Sequence, residues 1–521
     1  MRRDLGDFQT PPELARLIVQ SLAPVGTRWS RVLEPTCGTG AFLKALLQCP
    51  SPPRELIGIE IQESHLALAQ LLSRQAQATR LSLLCASLFD VDLRRDLPWR
   101  GGGPLLVIGN PPWITAAALG KLGSTSQPSR RNLKELPGIE ARTGGSNFDI
   151  AEAVWIKLLE ELVGCEPTIA LLCKTSVARD VLEFAAWKNV PIISASIHQI
   201  DAKRWFGAAA SACLLRVHVG GSNACQQVPI FASLGDPMPT AALHFHGGRL
   251  IAGSNIAESG YLTLGKSPMC WRQGIKHDAA AIMELTADEA NGTPVYRNGL
   301  GDQVDVEPEF LYPLLKGADL RRAPAQRPRR AVIITQTRLG QDTSVLEHRA
   351  PRLWTYLQRH AARLSCRKSS IYRHAPAFAL FGVGPYSFAL FKVAVSGLHR
   401  PALFRAVGSV AGQPIMLDDT CYLLPCAKAV EAAVVTALWL EPVAQSAVAA
   451  LSFADAKRPV TKGLLQRINI SAILDQADRP ALLTRAQSVL REQLELPPVP
   501  TDEIDAELQR LDREWNRHAG V

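Results

Sequence analysis

The chain predicts an α/β fold: a doubly wound, mostly parallel sheet over its first 220 residues, followed by an α+β half. Three observations carry this. Short apolar runs alternate with helical patterns up to about residue 220, and such alternation builds parallel sheets because each crossover helix returns the chain to the same edge. A glycine-bearing turn, Thr36-Cys37-Gly38-Thr39-Gly40, follows the first run. A proline-locked turn, Asn110-Pro111-Pro112-Trp113, follows the apolar run Leu105-Leu106-Val107-Ile108-Gly109. In open α/β sheets, ligands bind at such strand ends.

The elements follow in order. Arg31-Val32-Leu33 reads as a strand and leads through the glycine turn into a helix over Ala41–Leu47. Glu55–Glu60 is a second strand, and Ser64–Gln77 is rich in Ala and Leu and reads as helix. Leu81–Leu84 and Leu105–Ile108 are further strands. Residues 114–147, rich in Gly, Ser, Thr, Arg and Lys, show little periodicity and read as a long functional loop. A helix over Phe148–Val163 precedes a strand at Thr168–Leu172, and Ile192–Ile197 and Ala212–Val217 form a last pair. Trp155 and Trp187 are expected in the core.

Composition then shifts to Gly, Ser, Asn and Pro around residues 218–242. The expected layout is a catalytic domain at 1–220, a linker at 221–242, a second domain at 243–470 and a helical segment at 471–521. That segment includes helices over Ala481–Glu495 and Thr501–Arg517. A length of 521 residues exceeds one ordinary core. With 47% hydrophobic and 20% charged residues the chain is globular in composition, not disordered. No apolar run reaches the roughly 18–20 residues needed to cross a bilayer. The charged N-terminus has no apolar stretch behind it, so a cytoplasmic protein without membrane contact is expected. The 11 cysteines lack the paired spacing of a zinc site, so reduced thiols and no metal are expected. The net charge of +9 favours an acidic polymer as partner.

The two turns suggest chemistry. Pro111 and Pro112 fix φ and lack N–H groups, leaving the Asn110 side-chain oxygen and the Pro111 carbonyl as acceptors at a strand end. With the flat ring of Trp113 beside them, they suit a planar exocyclic amine. In the glycine turn, Gly38 and Gly40 let a ligand approach the backbone at a helix N-terminus. Glu60, at the end of the next strand, is placed to accept both hydroxyls of a ribose. No third glycine follows as in dinucleotide folds, and the acidic Glu34 before the turn disfavours a pyrophosphate. Glu34 suits a cofactor carrying a positive amino group, which points to S-adenosyl-L-methionine.

In the order Phe8-Gln9-Thr10-Pro11-Pro12, Leu33 to Gly40, Ile59-Glu60-Ile61 and Asn110-Pro111-Pro112-Trp113, the chain resembles the TaqI-like, gamma class of N6-adenine DNA methyltransferases. The resemblance covers residues 7–217 and extends loosely to Glu309–Gly317 and Phe381–Phe388. It implies a Rossmann-like methyltransferase domain followed by a C-terminal target-recognition domain. It assigns Thr10 and Pro11 to the methionine end of the cofactor, and Glu34, Pro35, Gly38 and Gly40 to the main cofactor loop. Glu60 holds the ribose, and Ile61 beside it joins the cofactor-binding set. Ser87 stands where the family has an acid near the cofactor adenine, with Asp90 three residues on. Asn110, Pro111, Pro112 and Trp113 form the catalytic turn, and Phe206 and Asn147 are weaker candidates near the target base.

The implied reaction is methylation of a flipped adenine in double-stranded DNA, within a restriction–modification or phage-defence system. Cleavage would then reside in a restriction endonuclease on a separate chain. Arginines at 321, 322, 327, 329, 330, 338, 359, 363, 367 and 373, with Lys368 and interleaved Trp354, Tyr356 and Tyr372, are expected to contact DNA. Related turns also serve cytosine N4, guanine N2 of RNA and protein glutamine. Cytosine N4 is the nearest alternative; the large basic second half disfavours protein glutamine.

Overall fold

The apolar runs of the first half pair as one ten-stranded sheet. Its strands are β1 Arg31–Glu34, β2 Glu55–Glu60, β3 Arg80–Cys85, β4 Leu105–Gly109, β5 Thr168–Lys174, β6 Ile192–Ile200, β7 Ala212–Val219, β8 Gln227–Phe231, β9 Ala241–His246 and β10 Arg249–Ala252, in the order β10-β9-β8-β6-β7-β5-β4-β1-β2-β3. The computed structural model describes residues 9–114, 149–208, 210–221, 225–246, 248–252, 263–290, 293–321, 328–367, 369–373, 375–453 and 458–519. The chain divides into two units, Met1–Ser254 and Asn255–Val521.

The half from β3 through β2, β1 and β4 to β5 is parallel. Every residue of β2 and β4 is buried, as expected of strands covered on both faces. The chain winds outward from β1 to β3 and then restarts at β4 on the other side of β1. This is the doubly wound, Rossmann-like arrangement, and its switch point lies between β1 and β4. Beyond β5 the order changes: β7 inserts antiparallel between β5 and β6.

The connecting helices are α1 Pro12–Ser21, α2 Val25–Arg28, α3 Ala41–Leu47, α4 Glu63–Gln70, α5 Ile150–Leu162, α6 Thr175–Trp187 and α7 Ala202–Phe206. α1 packs on α3, and α5 on α6. The helix expected to Gln77 ends at Gln70 and tightens into a 3-10 turn, Leu71–Gln75. α5 starts at Ile150 because the Asp149 side chain caps it, accepting from the Ala151 N–H. Trp155 is fully buried, but Trp187 is 49% exposed and lies edge-on to Phe184, correcting its assignment to the core.

Residues 221–242 are not a linker. They hold β8 and the start of β9; β8 pairs parallel to β6, and its Val228 is fully buried. Polar residues flanking one short apolar strand hid it in the composition. The first unit therefore runs on through β9 and β10 to Ser254.

The second unit contains a six-stranded and a four-stranded sheet. In the four-stranded sheet Phe391–Ser396 pairs antiparallel with Phe404–Val407 and with Cys421–Cys426. The helices Arg479–Gln493 and Thr501–Ala519 both pack on the helix Ala429–Trp439. Gln493 also accepts from the Ala406 N–H at 2.9 Å. The C-terminal helices are thus part of the second unit, not a separate segment.

Candidate active site

β1 and β2 deliver the first half of the site. In their parallel register Glu34 lies opposite Gly58, so β2 continues two residues further, to Glu60. The glycine turn is tied back to β2 by the Cys37 N–H, which donates to the Ile59 carbonyl at 2.8 Å. Gly38 and Gly40 have φ of +52° and +87°, in the left-handed region that favours glycine. A Cβ on Gly38 would come within 2.7 Å of Gln9 Oε1, and one on Gly40 within 2.8 Å of Leu72 Cδ1.

The Glu60 carboxylate accepts from the backbone N–H groups of Gly38 and Gln62, both at 2.8 Å, and is thereby fixed in orientation. Gln9 Oε1 accepts from the Thr39 N–H at 3.2 Å and hydroxyl at 3.1 Å, bringing the segment with Thr10 and Pro11 onto the loop. Ile61 is 45% exposed beside Glu60. Asp90 is exposed in a 3-10 turn after β3, where Ser87 accepts from the Phe89 N–H. Since Glu60 pairs with Cys85, Asp90 belongs to the same sheet edge.

Glu34 is the electrostatic anomaly. It is 2% exposed, and its Oε2 has no hydrogen-bond partner among the described residues. Burial pushes its carboxyl well above the ordinary range, partly offset by a backbone hydrogen bond from Leu43, and the Glu60 charge pushes it further up. A buried, incompletely bonded acid is costly. A cationic amine hydrogen-bonded to Oε2 would satisfy it and restore its charge, so the residues fit a ligand such as S-adenosylmethionine.

β4 delivers the second half across the switch point. Leu33 pairs with Val107 and Gly109 with Leu171, so the Asn110–Trp113 turn leaves the sheet between β1 and β5. Asn110 and Pro112 are half-buried; Pro111 and Trp113 are buried. The Trp113 ring stands edge-on to Phe206, with centroids 5.0 Å apart and planes at 67°. Phe206 arrives there because β7 is antiparallel to β5. Ala212 pairs with Lys174, which brings the preceding helix α7 to the carboxyl end of β5. Of the two weaker target-base candidates, Phe206 is thus at the turn, while Asn147 lies outside the described residues, as does most of the 114–147 loop.

The structure adds a residue that the sequence reading missed. Lys174 Nζ donates to the Trp113 carbonyl at 3.1 Å and pairs with Asp149 Oδ2 at 2.5 Å. The signal was available: a lysine ends the otherwise apolar run Ile169-Ala170-Leu171-Leu172-Cys173 at the ligand edge of the sheet.

In the second unit the arginine cluster divides. Arg367 donates to the carbonyls of Leu364, Ala379 and His277, and its guanidinium lies 3.7 Å from the Tyr372 ring centroid. Arg330 pairs with Asp319 at 2.9 Å. These two hold their own fold. Trp354 packs edge-on to Phe378, and the Tyr356 hydroxyl donates to the Ile282 carbonyl, so these aromatics belong to the core and are not displayed for bases. Arg321, Arg329, Arg338, Arg359, Arg363 and Arg373 are exposed. Arg322, Arg327 and Lys368 lie outside the described residues.

No protein-family model matches the chain. It is 32% identical over 476 residues to the type II methyltransferase M.NspV of Nostoc sp., an alignment covering 90% of this chain and 97% of that protein. It is also 30% identical over 143 residues to the type II methyltransferase M.TthHB8I of Thermus thermophilus, covering 27% of each. A solved structure of the type IIL restriction–modification enzyme MmeI in complex with DNA overlays 98% of this chain and 72% of its own, at 13% identity and a TM-score of 0.49. On the similarity to M.NspV, which spans nearly the whole of both proteins, this chain belongs to the type II methyltransferases.

Proposed function

We propose that the chain methylates the N6 amine of adenine in double-stranded DNA, as an enzyme of the TaqI-like class. The methyl donor is S-adenosylmethionine, which supplies an electrophilic methyl group. The observation that carries the reading is the placement of the Asn110–Trp113 turn beside the Glu34 and Glu60 loop, across the switch point between β1 and β4. One side holds an acid suited to a cation; the other presents acceptors suited to an amine. The exposed arginines of the second unit suit phosphate contact.

Glu34 binds the amino group of the donor, and Glu60, already oriented by two backbone N–H groups, accepts from the ribose hydroxyls. The adenine amine is a poor nucleophile because its lone pair is delocalised into the ring. The Asn110 side-chain oxygen and the Pro111 carbonyl accept its two N–H groups, localise the lone pair and aim it. Such fixed acceptors act by orientation and electrostatics in a pocket closed to water. Trp113 supports the face of the base. Reaching the turn requires extruding the base from the duplex, at a cost of a few kcal/mol, which stacking of about 1–3 kcal/mol and phosphate contacts offset.

The test is transfer of labelled methyl from S-adenosylmethionine to duplex DNA, followed by nucleoside analysis. Label in N6-methyladenine that disappears in Asn110→Ala supports the reading. Label in N4-methylcytosine would replace adenine by cytosine, and label only in RNA or protein would overturn DNA as substrate.

A further inference from the structure

The catalytic turn has an anchoring problem that its sequence creates. Pro111 and Pro112 carry no N–H, so the turn cannot be tied down through the amides of those residues. Fixed φ angles still leave ψ free, and acceptors misplaced by about 1 Å cost on the order of 100-fold in rate. A carbonyl of the turn remains open to an external tie.

Lys174 supplies that tie. It is the last residue of β5, the strand beside β4, and it reaches the Trp113 carbonyl at 3.1 Å, immediately after the prolines. The ammonium is itself positioned by Asp149 Oδ2 at 2.5 Å, while Asp149 Oδ1 accepts from the Ala151 N–H at 3.1 Å and caps α5. A second tie runs alongside: the Ile150 N–H donates to the Ile114 carbonyl at 2.8 Å. The exit of the turn is thus sewn to the start of α5 through a cation mounted on a central strand. The Lys174 and Asp149 side chains are 29% and 9% exposed, so the pair is shielded beyond the usual surface ion pair, whose contribution is small.

We propose that Lys174 is a positioning residue for the methyl transfer. Together with Asp149 it clamps the Trp113 carbonyl, so that Asn110 and Pro111 keep one geometry and the Trp113 ring stays against Phe206. The role rests on the methyltransferase reading above, and it touches neither the donor nor the base. Its signature is a loss of turnover without a loss of cofactor affinity.

The experiment compares Lys174→Met, Lys174→Arg and Asp149→Asn in the full chain. It measures kcat and KM on duplex DNA, the equilibrium Kd for S-adenosylmethionine, and hydrogen exchange at the Trp113 and Ile114 amides. Lys174→Met should lower kcat by about 10- to 100-fold, leave the cofactor Kd within about twofold and speed exchange at both amides. Lys174→Arg keeps a cation in reach of both oxygens and should recover most of the turnover. Asp149→Asn keeps the helix cap and guards against misfolding of the methionine variant; it should show a smaller loss of the same kind. Wild-type exchange, or wild-type kcat, in both Lys174→Met and Asp149→Asn overturns the clamp. If duplex DNA accepts no methyl group from the wild-type chain, the substrate reading falls, and the clamp is then judged on exchange alone.

Discussion

Two turns leave the carboxyl ends of neighbouring parallel strands, and they are held in opposite ways. The loop after β1 ties down its own amides, through Gly38 to Glu60 and Cys37 to Ile59, yet buries Glu34 with Oε2 unmet among the described residues. The turn after β4 has no amides at Pro111 and Pro112, and its exit is gripped by Lys174. The first arrangement stores an electrostatic cost that a cation relieves; the second is held from outside, at the Trp113 carbonyl. Damage to the first should therefore appear in binding, and damage to the second in turnover.

The largest expected effect tests the second turn. Asn110→Ala removes an acceptor made for the transition state and should lower kcat by about 100- to 1,000-fold, the range found for single preorganised hydrogen-bonding groups. Cofactor affinity, measured by calorimetry, should stay unchanged. Equal losses in both would erase the division between the two turns.

Glu34→Gln probes the other side. A hydrogen bond to a charged group contributes about 1.5–3 kcal/mol, so cofactor affinity should fall about 10- to 100-fold. The unliganded chain should respond in the opposite sense. Because the folded-state pKa of Glu34 is raised, the folded chain holds this proton more tightly than the unfolded one. Stability is therefore lost as pH rises from the ordinary carboxylate value to the folded value, and it levels off above that. The glutamine variant lacks this slope and should melt higher than the parent at neutral pH without cofactor. In the parent, affinity for the donor should rise with pH until Glu34 is ionised without it. A flat affinity profile, together with a lower melting temperature for the variant, would show that Glu34 is no cation site.

Trp113→Phe sharpens the target side. The smaller ring keeps a stacking face but loses part of the edge contact with Phe206, now 5.0 Å between centroids. Aromatic pairs contribute about 0.5–1.5 kcal/mol, so kcat/KM on DNA should fall by about two- to tenfold, with the cofactor Kd unmoved. An unchanged kcat/KM would leave the base resting elsewhere.

How much of this was legible follows from the range of each interaction. Strands β1, β2, β4 and β5 were readable because central parallel strands are buried on both faces and read as unbroken apolar runs such as Leu105–Ile108, whereas β3, at the sheet edge and only partly buried, was readable from the short run Leu81–Leu84. The two turns were readable because glycine and proline act on their own backbone. β8 was not, because an outer strand of mixed burial carries no long apolar run and joins the sheet through a parallel pairing with β6. Lys174 needed the register of β4 with β5, and the start of α5, to find Trp113 and Asp149. The arginines were hardest: a count of positive charge does not distinguish a side chain facing solvent from one holding carbonyls of its own chain.

That last ambiguity gives the smallest effect and carries the division between holding and binding into the second unit. Arg329 is exposed, whereas Arg367 bonds three backbone carbonyls and covers Tyr372. Arg329→Ala should weaken DNA binding only a few-fold and reduce the slope of log affinity against log salt by about 0.9, as for one phosphate contact, at an unchanged melting temperature. Arg367→Ala leaves buried carbonyls without donors, a cost of about 1–3 kcal/mol each, so it should lower the melting temperature and leave the salt slope alone. Fluorescence-anisotropy titrations at several salt concentrations, beside thermal melts, separate the two. If Arg367→Ala changed the salt slope and Arg329→Ala did not, burial and hydrogen bonding would have sorted the cluster the wrong way round, and the DNA-facing surface of this unit would have to be sought among its internally bonded arginines.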